Sequence, residues 1–192
     1  MKQLTVQPFI ISLLFTLVTV NISAREPEIS AELLAKLQAA ITDESSFADR
    51  FDAEVWLTDM STRAKTRVND QIERLFILKT VHYEANRVGL KPELVLAVID
   101  IESRFDRFAI SVVGAQGLMQ IMPFWKKELQ MPEANLFDIR TNIRFGCTIL
   151  KHYIDKENGN MQKGLARYNG SVGRRKYPDK VFNALSRIWY KR

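Results

Sequence analysis

Apolar residues recur along this chain at intervals of three and four, and no stretch alternates with a clean period of two. That pattern predicts helices almost throughout. Ser30 is placed to cap a first helix with Leu33, Leu34 and Leu37 on its apolar side. A second is expected over 46–67, with Phe47, Phe51, Val55 and Met60 facing inward. A third runs from about Asp70, with Leu75, Ile77, Leu78, Val81 and Ala85 on one side, and stops at Gly89. Pro92 opens a strongly apolar helix that reaches about Arg104, since proline is tolerated in a first helical turn. Gly and Ser residues then interrupt the pattern between Asp106 and Gly117, and the short segment Leu118–Met122 meets Pro123. Helices are expected again at roughly 141–157, 160–169 and 178–190. The chain reads as an all-α domain with a short hairpin or irregular loop near 106–120.

The first 24 residues differ from the rest. Lys2 precedes an apolar run from Phe9 to Val20, about 12 residues, which is too short to span a bilayer comfortably and suits a signal-peptide core. Ala24 then offers a small residue before the polar Arg25-Glu26-Pro27. The expected organisation is a signal peptide at 1–24, a helical extension at 25–68 and a single domain at 69–192, exported in soluble form to the periplasm. Hydrophobic residues at 46% and charged residues at 26% fit a globular chain and exclude a disordered one. Removing residues 1–24 takes away Lys2 and no acid, so 27 basic and 22 acidic residues remain, a net charge of +5. A basic surface attracts polyanions in general; export argues against nucleic acid and leaves the anionic wall and membrane surfaces. Cys147 is the single cysteine and has apolar neighbours, so it reads as a buried structural thiol.

The chemistry concentrates around Glu102. At 3.6 residues per turn it shares a face with Val95, Val98 and Ile99, while Asp100 points nearly the opposite way. A carboxyl aligned with an apolar stripe is desolvated and titrates high, as a general acid for glycoside cleavage must. Spacing alone equally allows a buried glutamate paired with an arginine. His82 and His152 stand apart and no Cys or His spacing suggests a metal, so neither metal nor cofactor is expected. Phosphate-binding and dinucleotide-binding glycine motifs and a Gly-x-Ser-x-Gly elbow are missing. Trp56, Trp125 and Trp189 could stack on sugar rings or fill the core, and Trp125 lies closest to the Gly-rich segment.

Four ordered motifs sharpen this picture: Glu102-Ser103 with Ser111, Gly114-Ala-Gln-Gly-Leu-Met-Gln-Ile-Met-Pro123, Asn142-Ile-Arg-Phe-Gly146 and Ala166-Arg-Tyr-Asn-Gly170. Over about residues 70–190 the chain resembles the soluble lytic transglycosylase family. The resemblance implies a lysozyme-like fold and peptidoglycan glycan strands as substrate. It puts the family's acid on Glu102, substrate contacts on Ser111, Gln120 and Met122, and the motif tyrosine on Tyr168 with Asn169 beside it. Tyr168 would lend its hydroxyl to the acid or the sugar, and Gln120 can donate and accept toward a sugar. One departure is visible: Gly170-Ser-Val-Gly173 stands where the family commonly has Ala-Gly-Pro-Gly.

Most glycosidases use two carboxylates, and the matched motifs hold one. This fits the chemistry that the resemblance implies: non-hydrolytic cleavage between N-acetylmuramic acid and N-acetylglucosamine, with Glu102 first as acid, then as base toward the C6 hydroxyl, giving a 1,6-anhydro end. Two alternatives stay open: a hydrolytic muramidase on the same fold, and a non-catalytic wall-binding or scaffold protein of an envelope machine that meets its partner through residues 30–67.

Overall fold

The computed structural model describes residues 50–190, except residue 129. The signal peptide and the helix expected at Ser30 lie outside the described residues. Within them the chain forms α1 (Arg50–Ala64), α2 (Gln71–Arg87), α3 (Pro92–Glu102), α4 (Phe124–Glu128), α5 (Ile139–Lys156), α6 (Met161–Tyr168) and α7 (Lys176–Ala184), followed by a π-helical turn, Leu185–Trp189. The all-α expectation holds. The segment expected as a hairpin or irregular loop contains two isolated antiparallel bridges, Ile110 with Gln116 and Gln116 with Ile121, and no extended strand.

Side-chain caps set several boundaries. Asp70 accepts from the Glu73 amide at 2.7 Å, Asp138 from Thr141 at 2.9 Å and Asn160 from Lys163 at 3.0 Å. Each satisfies an amide that the first helical turn leaves without a partner. Asp138 therefore starts α5 at Ile139, two residues earlier than the apolar pattern suggests.

α3 is the central helix. Leu94, Val95, Leu96, Ala97, Val98 and Ile99 are all buried, so it is apolar around most of its circumference, as a helix enclosed by others must be. α2, α7 and the π-helical turn pack against it, and α5 packs against α2 and α6. The α5–α6 contact is close because Gly164 lies on Ile154, where a Cβ would come within 2.6 Å.

Two expectations need correction. α3 ends at Glu102 rather than near Arg104, because Arg104 and Phe105 adopt left-handed angles, φ 53° and 68°. Val55 is 59% exposed rather than inward; Met60 and Ala64 are buried on α1, with Trp56 and Leu57 half-buried beside them. Of the two readings of Trp125, core filling is the one observed: it is buried against Phe124. Cys147 is buried, as expected, and burial pushes its thiol well up.

Candidate functional site

Glu102 is the last residue of α3, and the next residue fixes where it stands. Ser103 Oγ donates to the Leu118 carbonyl at 2.8 Å and accepts from the Phe105 amide at 3.2 Å. One hydroxyl thus ties the helix end to the Gly-rich segment and stabilises the reversal that follows.

The Gly-rich segment is locked from below by α5. Asn142 Oδ1 accepts from the Met119 amide at 2.7 Å, and its Nδ2 donates to Gln116 O at 2.9 Å and Leu136 O at 2.7 Å. Gly117 sits at φ 75°, and a Cβ there would lie 2.4 Å from both Asn142 and the Leu136 carbonyl. One turn along α5, Gly146 leaves the space that Met119 occupies, since a Cβ there would come within 2.3 Å of its sulfur. The Asn142–Gly146 motif is therefore a clamp on residues 116–119, built from one amide and one missing side chain.

Over this platform lie Tyr168 and Tyr177, both on the C-terminal helices. Tyr168 donates its hydroxyl to the Met119 carbonyl at 2.7 Å. Tyr177 donates to Glu102 Oε1 at 2.6 Å. Burial pushes the Glu102 carboxyl from 4.5 to about 7, and the Tyr177 hydrogen bond opposes that rise by favouring the charged form. Burial first, and the Glu102 charge second, push both phenols well above their ordinary range, so both remain proton donors at neutral pH. The arrangement is a desolvated carboxyl, oriented by one phenol and poised to gain or lose a proton near neutrality.

The other residues singled out by sequence take different positions. Gln120 has φ 50° and spends both amide hydrogens on the carbonyls of Ala109, at 3.2 Å, and Gly117, at 2.9 Å, so its side-chain carbonyl oxygen is the group these two bonds leave over. Ser111 Oγ accepts from Ala115 N at 3.0 Å and closes the 111–115 turn, with its own hydrogen still available to donate. Met122 is half-buried against the core. Asn169 ends α6 and is exposed. Among the described residues none of these four bonds the Glu102 carboxylate. Tyr168 is close enough for the Glu102 charge to shift it, yet its hydroxyl goes to Met119 rather than to the acid.

The phenol that does meet the acid, Tyr177, lies outside the four motifs, after the basic run Arg174-Arg175-Lys176 and one residue before the helix expected at 178–190. Its signal was helical spacing: Tyr177, Val181 and Ala184 form the buried stripe of α7. Asp106, the nearest further acid in sequence, is exposed and accepts from the Phe108 amide at 2.9 Å. Among the described residues no group of His, Cys, Asp or Glu could hold a metal ion.

Comparison with known proteins identifies a family for this sequence. The family model described as the transglycosylase SLT domain matches residues 79–187. The chain is 30% identical over 118 residues to a transglycosylase of Enterobacteria phage PRD1, covering 58% of this chain and 43% of that protein. It is also 30% identical over 112 residues to a membrane-bound lytic murein transglycosylase C of Yersinia pestis (strain Pestoides F), covering 50% of this chain and 31% of that one. A solved structure of an inactive mutant of the lytic transglycosylase Slt from Pseudomonas aeruginosa aligns with a TM-score of 0.45 and 27% identity, over 76% of this chain and 24% of that one. The chain spans less than half the length of these curated relatives.

Proposed function

The chain belongs to the transglycosylase SLT domain family, and from that premise we propose that it cleaves peptidoglycan glycan strands at the β-1,4 bond from N-acetylmuramic acid to N-acetylglucosamine, with Glu102 as both acid and base. The observation that carries the reading is the state of Glu102: a half-buried, desolvated carboxyl at about 7, held by Tyr177 at the end of the central helix. Such a group is about half protonated at pH 7 and gives its proton to the departing glycosidic oxygen. The N-acetyl group of the muramic acid stabilises the cationic centre as the bond breaks. The Glu102 carboxylate then takes the proton of the C6 hydroxyl, whose oxygen bonds to C1. The carboxyl is restored, the ring closes and no water is consumed.

The neighbouring groups support this cycle. Tyr177 donates to Oε1, so it favours the carboxylate after the first transfer and fixes which oxygen faces the bond. Ser111 and Gln120 supply a hydroxyl hydrogen and a side-chain carbonyl toward sugar hydroxyls and N-acetyl groups, Met122 supplies apolar contact, and Tyr168 with Asn169 forms the opposite rim. The proposed organisation is an export signal at 1–24, an extension at 25–68 and the catalytic domain at 69–192, working in the periplasm. Among the described residues no helix is long and apolar enough to cross a membrane.

The test is digestion of purified sacculi by the wild type and Glu102→Gln. The variant should fold and lose about 10²–10⁴-fold in rate, the range general acid catalysis supplies. Activity within a few-fold of wild type would remove Glu102 from the reaction.

A further inference from the structure

Helix α1 and the turn after it lie outside the segment matched by the family model, yet together they hold the helix that carries Glu102 at both ends, α1 through Trp56 and the turn through Arg67. Near the start of α3, Trp56 Nε1 donates to Glu93 Oε1 at 2.7 Å. Near its end, just after α1, the Arg67 guanidinium donates twice to Asp100, at 2.8 Å to each oxygen. Asp100 also accepts from Trp189 Nε1 at 3.1 Å, and the Arg67 guanidinium stacks over the Trp189 ring at 5.0 Å. Arg63 Nη1 donates to the Ile188 carbonyl at 2.8 Å, so the π-helical turn is gripped as well. The pair is well shielded, with side-chain exposures of 20% for Arg67 and 10% for Asp100, and a planar fork on a carboxylate has one geometry.

Asp100 and Glu102 are two residues apart, about 200° around the helix. Asp100 is therefore the rear handle of a lever whose front end is Glu102. A 10° rotation of α3 moves a carboxyl about 6 Å from the axis by roughly 1 Å, enough to cost about 10²-fold in rate. The Trp189 ring, 5.3 Å from that of Phe105, braces the left-handed turn immediately after the acid. We propose that Arg67 and Asp100 are positioning residues, through which α1 and the π-helical turn set the rotation of the Glu102 helix. The proposal rests on Glu102 being the acid. The described part of the region read in the sequence as partner-binding is thus engaged with its own domain.

Arg67→Met, Arg67→Lys and Glu102→Gln in the full chain test this on soluble glycan strands, at a temperature where circular dichroism shows each variant folded. Arg67→Met should lower kcat by ~10–100-fold with KM within about two-fold, because the substrate still binds while the acid is misaimed. Arg67→Lys should recover part of the loss, since it keeps the charge without the fork. Where Arg67→Met fails to fold, Arg67→Lys carries the same test by its own fall in kcat at constant KM. An unchanged kcat in folded variants, or a change confined to KM or to the melting temperature, overturns the positioning role. If Glu102→Gln alone is inactive in that case, the acid assignment survives; if Glu102→Gln is active, the functional reading itself falls.

Discussion

Tyr177 donates its phenolic hydrogen to Glu102 Oε1 at 2.6 Å across 75 residues of sequence, joining the start of α7 to the end of α3. The bond counters the effect of burial: it favours the carboxylate while desolvation favours the acid. Tyr177→Phe should therefore raise the Glu102 pKa above about 7 and move the alkaline limb of the pH–rate profile upward. The rate at pH 7 should fall ~10-fold, because the carboxyl loses its orienting contact. A pH–kcat profile checks this, and a limb that stays in place or moves down contradicts it.

Stability should carry the mark of the same carboxyl. Its folded pKa, about 7, is raised above the ordinary 4.5, so the folded state holds the proton more tightly than the unfolded one. The stabilisation from that proton is fully present below pH 4.5 and is lost as pH rises from 4.5 to about 7. Glu102→Gln carries no such titration, so relative to wild type it should gain up to about 3 kcal/mol between pH 4 and pH 8. Urea unfolding of both proteins at the two pH values measures the difference, and a constant difference contradicts it.

Much of this design was legible in the sequence, and the failures have physical causes. The apolar spacing of Leu94–Ile99 announced a buried helix, and the position of Glu102 beside Val95, Val98 and Ile99 announced a desolvated acid. Tyr177 was not legible because the contact that makes it important is tertiary, and its local context is three exposed basic residues. Val55 failed because the face of α1 that packs is chosen by α2 and the π-helical turn, which turn Met60 and Ala64 inward. α3 stops at Glu102 because the hydroxyl of Ser103 and two left-handed residues end it, which helical periodicity does not encode.

Asn142 makes two of the side-chain hydrogen bonds that hold the Gly-rich segment in place, one to the Met119 amide and one to the Gln116 carbonyl. Asn142→Ala strands the Met119 amide and the Leu136 carbonyl and removes one of the two hydrogen bonds to the Gln116 carbonyl, which keeps the Ile121 amide. At about 1–3 kcal/mol for each stranded group, partly relieved by relaxation, a loss of roughly 3 kcal/mol is expected. Thermal unfolding should show a melting temperature lower by roughly 10 °C. A shift under about 2 °C would mean that the clamp does not hold the loop.

The chemistry of the bond cleavage is decided by the ends it leaves. Among the described residues, Glu102 is the acid that Tyr177 holds, and Asp106 is exposed with its carboxylate on the Phe108 amide rather than placed to activate water. The C6 hydroxyl is tethered to the reacting sugar and outcompetes a loosely held water by its effective concentration. Mass spectrometry of muropeptides released from purified sacculi is the direct measurement. The account predicts non-reducing products ending in 1,6-anhydro-N-acetylmuramic acid, about 18 Da lighter than hydrolysed ones, because ring closure is intramolecular. A digest made mainly of reducing muramic acid ends would contradict it.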